Sequence, residues 1–90
     1  MYILWYCDEW TSRKSMRVRM VSSDRKKIEA TILRGIEADK FDYTGTPDQN
    51  YRKNMAREFQ NDCKTRKTIR DINAALRFGY IEEIEDGEEY

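Results

Sequence analysis

The chain opens on a run of apolar residues and then alternates. "MYILWYC" is short and rich in aromatic and branched side chains, so it predicts a strand buried on both faces or nearly so. "DEWTSRKS" has the polarity of a hairpin loop but no Asn-Gly type signal. "MRVRMV" alternates strictly, which turns Met16, Val18 and Met20 toward a core and Arg17 and Arg19 toward the opposite face. These two strands and their short connection predict an antiparallel hairpin.

The period then lengthens. In "SSDRKKIEATILRG", Ile28, Ile32 and Ile36 recur every fourth position and form one helical stripe. Ser22 or Ser23 can cap the first turn, Asp24 suits the positive end of the dipole, and Gly35 or the "EADK" that follows ends the helix. Phe41 and Tyr43 alternate in "KFDYTG", which favours a short third strand. A second helix starts at Thr46, with Pro47 at the first helical position and Gln49 completing a capping box; its stripe is Tyr51, Met55 and Phe59. A third starts at Thr68, turns Ile69, Ile72 and Leu76 inward, and ends with Gly79 at the C′ position. "YIEEIED" returns as a strand. The order β-β-α-(β)-α-α-β, with strands at both ends, predicts an α+β fold: a small antiparallel sheet, the N-terminal hairpin plus the C-terminal strand, packed with two to three helices. Residues 1–90 are expected to form one domain, with 85–90 an acidic tail.

Composition sharpens the functional question. The chain is formally neutral, yet 38% of its 90 residues are charged and the charges lie in blocks. Residues 11–34 hold eight bases against two acids, residues 51–77 eight against three, and the last nine residues six acids and no base. Such blocks bear on partners and association more than on fold. The absence of histidine removes triads, imidazole metal sites and the commonest general base. Two cysteines 56 positions apart form no zinc pattern, and the glycines make neither a dinucleotide fingerprint nor a phosphate loop. The acidic ending lacks the spacing of a calcium loop. The chain is therefore expected to bind rather than to catalyse, without cofactor or metal. No window approaches a membrane span, and the apolar start lacks the basic flank and cleavage site of a signal peptide. A cytoplasmic protein is expected, its thiols reduced and packed as small hydrophobes.

What remains is anion recognition. Arginine outnumbers lysine ten to seven, and arginine grips phosphate bidentately. Arg17 and Arg19 share a strand face, and Arg25, Lys26 and Lys27 begin a helix whose free N–H groups attract phosphate. The competing reading for all five is a solvated surface. A second cluster comprises Arg52, Lys53, Arg57, Arg66, Arg70 and Arg77, with Arg70 and Arg77 on one side of the predicted third helix. Asn61 and its neighbours supply amides. Tyr51 either completes the core stripe or stacks on a base; Phe78 and Tyr80 pose the same choice. A duplex nucleic-acid binder should be net basic, which this chain is not. A small phosphorylated nucleotide needs only two or three arginines and fits neutrality better.

The opening "MYILWYC", the hairpin into "SSDRKKIEATILRGIEADKFDY" and the ending "INAALRFGYIEEIEDGEE" resemble small phage and prophage proteins of Firmicutes, and among these the phage anti-Thoeris sponge family. The resemblance implies an N-terminal antiparallel sheet, two main helices, assembly through subunits, and no enzymatic activity. It implies sequestration of cyclic ADP-ribose isomers, and in some members cyclic oligonucleotides, inside an infected bacterium. By that resemblance Arg25 and Arg77 would meet phosphate, Tyr51 would stack on adenine and Asn61 would hydrogen-bond; if Tyr51 is core, stacking passes to Tyr80. Two other readings stay open. An inhibitor of a host defence protein, like an anti-CRISPR, would use the acidic ending, and a weak nucleic-acid binder would use Arg17 and Arg19. The acidic ending could also pair with the basic face of a neighbouring subunit.

Overall fold

The computed structural model describes residues 1–8, 10–43 and 52–84. Its elements are strand β1 (Tyr2–Tyr6), a 3-10 turn (Arg13–Ser15), β2 (Arg17–Ser22), helix α1 (Arg25–Glu37), β3 (Asp42–Tyr43), α2 (Arg52–Lys64), α3 (Ile69–Ala75), β4 (Leu76–Arg77) and β5 (Gly79–Glu83). The first strand becomes the centre of a three-stranded antiparallel sheet, β2-β1-β5, and β3 and β4 pair as a separate two-stranded ribbon. Helices and sheets together make the expected α+β architecture. The capping box at Thr46–Gln49 and the Tyr51 position in the stripe fall outside the described residues.

The helical stripes pack as the periodicity requires. Ile28, Ile32 and Ile36 are fully buried, joined by Met55 and Phe59 from α2, Ile72 from α3 and Leu76 from β4. From the sheet, Leu4 and Ile81 enter the same cluster. Burying side chains of this size contributes about 1.5–3 kcal/mol each. The helices lie against this one face of the sheet, α1 over β1 and β2 and α3 over β5.

The connection between β1 and β2 is organised by a carboxylate rather than by a turn dipeptide. Asp8 accepts from the backbone N–H groups of Trp10 (3.1 Å) and Ser12 (3.0 Å) and from the Ser12 hydroxyl (2.8 Å). Hydrogen bonds to the charged form, those from Ser12 first, hold its carboxyl below the usual range. Thr11 takes a positive φ of 55° at the tip.

Three sequence expectations are corrected. The register between β1 and β2 runs Leu4 with Met20, then Trp5 with Val18, so Arg19 is an extra residue in a bulge. A one-residue slip exchanges faces. Val18 therefore joins Trp5 on the face away from the helices and is 54% exposed, and Arg17 lies across from Tyr6 on the helix side. Second, Asp24 rather than Ser22 or Ser23 caps α1, its side chain accepting from the Lys26 N–H at 2.9 Å. Of the two expected ends of α1, the structure takes the second: the helix runs through Gly35 and stops in the "EADK" segment at Glu37, where Asp39 adopts a left-handed φ of 65°. Third, α3 ends at Ala75, not at Gly79. Leu76 and Arg77 leave the helix to pair with Tyr43 and Asp42, and Phe78 makes the turn with φ 68°.

Gly35 and Gly79 serve packing instead. A Cβ built on Gly35 would stand 2.6 Å from Phe41 Cε2, and one on Gly79 2.6 Å from Phe41 Cε1, well inside van der Waals contact. Helix propensity alone makes Gly35→Ala stabilising by about 1 kcal/mol. Overpacking against the ring reverses the sign, and we expect a loss of about 1–3 kcal/mol. Thermal denaturation checks this: the midpoint should fall by about 4 °C or more, and a rise would show that Phe41 does not occupy that space.

Candidate functional site

The residues singled out in the sequence are distributed rather than gathered. Arg17 donates to the carbonyls of Met16 (2.8 Å) and Lys14 (3.2 Å) at the exposed start of β2. Arg19 donates to the Tyr6 hydroxyl at 2.9 Å, with its guanidinium 5.9 Å from the centre of that ring. Arg25 bonds Glu29 (3.1 Å) and donates to the backbone carbonyl of Lys67, so it ties the first turn of α1 to the α2–α3 connection. Asn61 is exposed on α2, and its carbonyl accepts from Thr65. Arg70 is exposed on α3, and Arg77 is exposed in β4 opposite Asp42. Tyr51 lies outside the described residues.

Arg25 and Arg77 sit at opposite ends of α1. Arg25 starts the helix, whereas Asp42, the partner of Arg77, lies beside the C-terminal end through Arg52, which also donates to the Ile36 carbonyl at 3.1 Å. Thirteen helical residues separate the ends by roughly 18 Å, too far for one phosphate group to bridge. The positive end of α1 is likewise occupied, because the Asp24 carboxylate already accepts there.

The face of the sheet turned away from the helices offers a different arrangement. Cross-strand partners share a face, so Ile3, Trp5, Val18, Val21, Tyr80 and Glu82 lie on it together. Tyr80 stands directly opposite Trp5 and is 37% exposed. Two clefts meet at Tyr80. The larger, about 590 Å³, is lined by Trp5, Thr11, Arg13, Met16, Tyr80 and Glu82. The other, at the β5 edge beside α3, is lined by Ile69, Arg70, Asn73, Tyr80, Ile81 and Glu83. The indole N–H of Trp5 is buried with no acceptor among the described residues. Aromatic floor, flanking arginines and an unpaired donor together suit a planar ligand with limited negative charge; Glu82 and Glu83 oppose a highly charged one.

Of the expected residues only Arg70 borders this region. Tyr80, which the sequence offered as the fallback stacking residue, is at its centre. Trp5 and Arg13 were missed. The uninterrupted apolar run of β1 was the signal for Trp5, since a strand apolar on both faces in a sheet covered on one side must expose aromatic surface. Among the described residues no cluster of His, Cys, Asp and Glu could hold a metal ion, and no helix is long and apolar enough to cross a membrane.

Other ionisable groups are committed to structure. Tyr43, fully buried, donates its hydroxyl to Asp62, and burial followed by that hydrogen bond raises its pKa. Cys63 lies between α1 and α2, where burial first and Glu29 second push its thiol up to about 12. No family model, curated protein or solved structure matches this chain.

Two outcomes follow from these contacts. Arg25→Met removes a hydrogen bond from the Lys67 carbonyl and an ion pair, and should cost about 1–2 kcal/mol in urea unfolding. Arg17→Met should stay within about 0.5 kcal/mol; equal effects would contradict the structural role of Arg25. For Cys63, a pKa near 12 against the ordinary 9.0 leaves about a thousandfold less thiolate at pH 8. Iodoacetamide should therefore label it slowly in the folded protein and at the ordinary rate in urea.

Proposed function

We propose that the chain is a non-enzymatic binding protein for a small phosphorylated nucleotide, which it holds around Tyr80, where the open face of its sheet meets the β5 edge. The observation that carries this reading is the position of Tyr80, exposed between two clefts with Arg13 in one and Arg70 in the other. A base stacked on Tyr80 gains about 1–3 kcal/mol, and a phosphate on either side meets a guanidinium able to bind it bidentately. Glu82 and Glu83 set a limit on ligand charge, favouring one or two phosphates over a nucleic-acid strand.

The resemblance to phage sponge proteins supplies the biological role in this proposal. The protein would act in the cytoplasm of an infected bacterium and remove a cyclic ADP-ribose isomer or a cyclic oligonucleotide made by a defence enzyme. Assembly into a homo-oligomer belongs to the same proposal. Val18 (54% exposed), Val21 (53%) and Trp10 (79%) leave apolar surface beside the clefts that a second copy would cover.

Calorimetry against cyclic ADP-ribose isomers and cyclic di- and trinucleotides tests the binding. We expect heat with at least one, weakened about fivefold or more by Tyr80→Ala and by Arg13→Ala, retained by Tyr80→Phe, and indifferent to Arg77→Ala. Absence of heat with every ligand sinks the proposal. Native mass spectrometry of the purified protein reads the oligomer and any retained nucleotide in one measurement.

A further inference from the structure

The two edges of the sheet are treated differently. On β5 the backbone of Ile81 is capped by a side chain: the Asn73 amide donates to the Ile81 carbonyl at 2.8 Å and accepts from its N–H at 2.8 Å. An amide in this position imitates a neighbouring strand and blocks that edge at Ile81. On β2 nothing equivalent exists. No described group beyond β1 hydrogen-bonds the backbone of Val18–Val21.

The open edge is also where positive charge is unspent. Arg13, Lys14, Arg17 and Arg19 are all exposed, and none forms an ion pair among the described residues. Residues 10–23 contain no acid. The bulge sets two kinds of side chain along the same strand, with Val18 and Val21 on the outer face and Arg17 and Arg19 toward Tyr6.

We propose that the free edge of β2 is a docking site for an extended acidic polypeptide segment of a partner protein. Main-chain hydrogen bonds along an edge give affinity, and alternate side chains give specificity. Acidic residues of the incoming strand meet Arg17 and Arg19, and its apolar residues meet Val18 and Val21. A second copy of β2 is disfavoured, because pairing β2 with itself sets arginines against arginines. The charges that repel a like strand attract an acidic one. A phosphate backbone answers the charge but not the row of backbone donors and acceptors. Val18 and Val21 share the outer face with Trp5 and Tyr80, but residues 17–21 line neither Tyr80 cleft, so pairing at the edge stands or falls independently of nucleotide binding.

Amide chemical shifts of the intact protein test the proposal, with a short blocked peptide alternating glutamate and valine as the probe. Shifts should concentrate on Val18–Val21. Affinity should fall about tenfold when alternate peptide nitrogens are methylated, and about tenfold in a protein carrying Arg17→Glu with Arg19→Glu. A lysine-for-glutamate peptide should not bind. The proposal is overturned if those amides do not move, if the methylated peptide binds as well as the parent, or if a short oligothymidylate binds them more tightly than the peptide does.

Discussion

The ring of Phe41 holds the fold together at the point where four segments converge. It is 1% exposed, stacks on Tyr6 of β1 with centroids 5.2 Å apart, and fills the space left by the missing side chains of Gly35 on α1 and Gly79 on β5. Helix, central strand and final strand are thus spaced by one aromatic ring. Close packing leaves little room for adjustment at such a point. The same ring sets the start of β5, and β5 is what carries Tyr80 to the open face of the sheet.

Much of the cationic charge stabilises the molecule itself. Arg52 reaches the C-terminal end of α1 by donating to the Ile36 carbonyl and pairing with Asp39 and Asp42. A cation there also complements the helix dipole. Arg25 performs the matching task at the other end by bonding the Lys67 carbonyl. These two arginines tie the two ends of α1 to the start of α2 and to the α2–α3 connection. Arginines left over for a ligand or partner are those the fold does not use, and Arg13 and Arg70 are among them.

The fold was legible where burial follows a simple period. Ile28, Ile32 and Ile36 announced α1, and Thr68 announced the start of α3. It was illegible where tertiary packing overrode local signals. Gly79 read as a helix stop because glycine often is one, while its position here answers to Phe41. Strict alternation in "MRVRMV" hid a bulge, since nothing in a single strand reveals what its neighbour skips. The site was less legible than the fold. Arginine spacing along the chain carries no information about which guanidinium bonds a backbone carbonyl, as Arg25 does. Trp5 and Tyr80 are 75 positions apart in the chain and become a pair only through the β1–β5 register.

The cap that Asn73 places on Ile81 has a consequence for polymerisation. A sheet with two free edges can add copies head to tail without limit and grow into a filament. Here the middle of one edge, at Ile81, is already satisfied by the chain's own amide. Any strand added at β2 therefore extends the sheet in one direction only, and the far side of β5 offers Ile81 no further pairing. A single amide side chain thus withdraws the middle of β5 from edge pairing and leaves β2 the more open edge of the sheet.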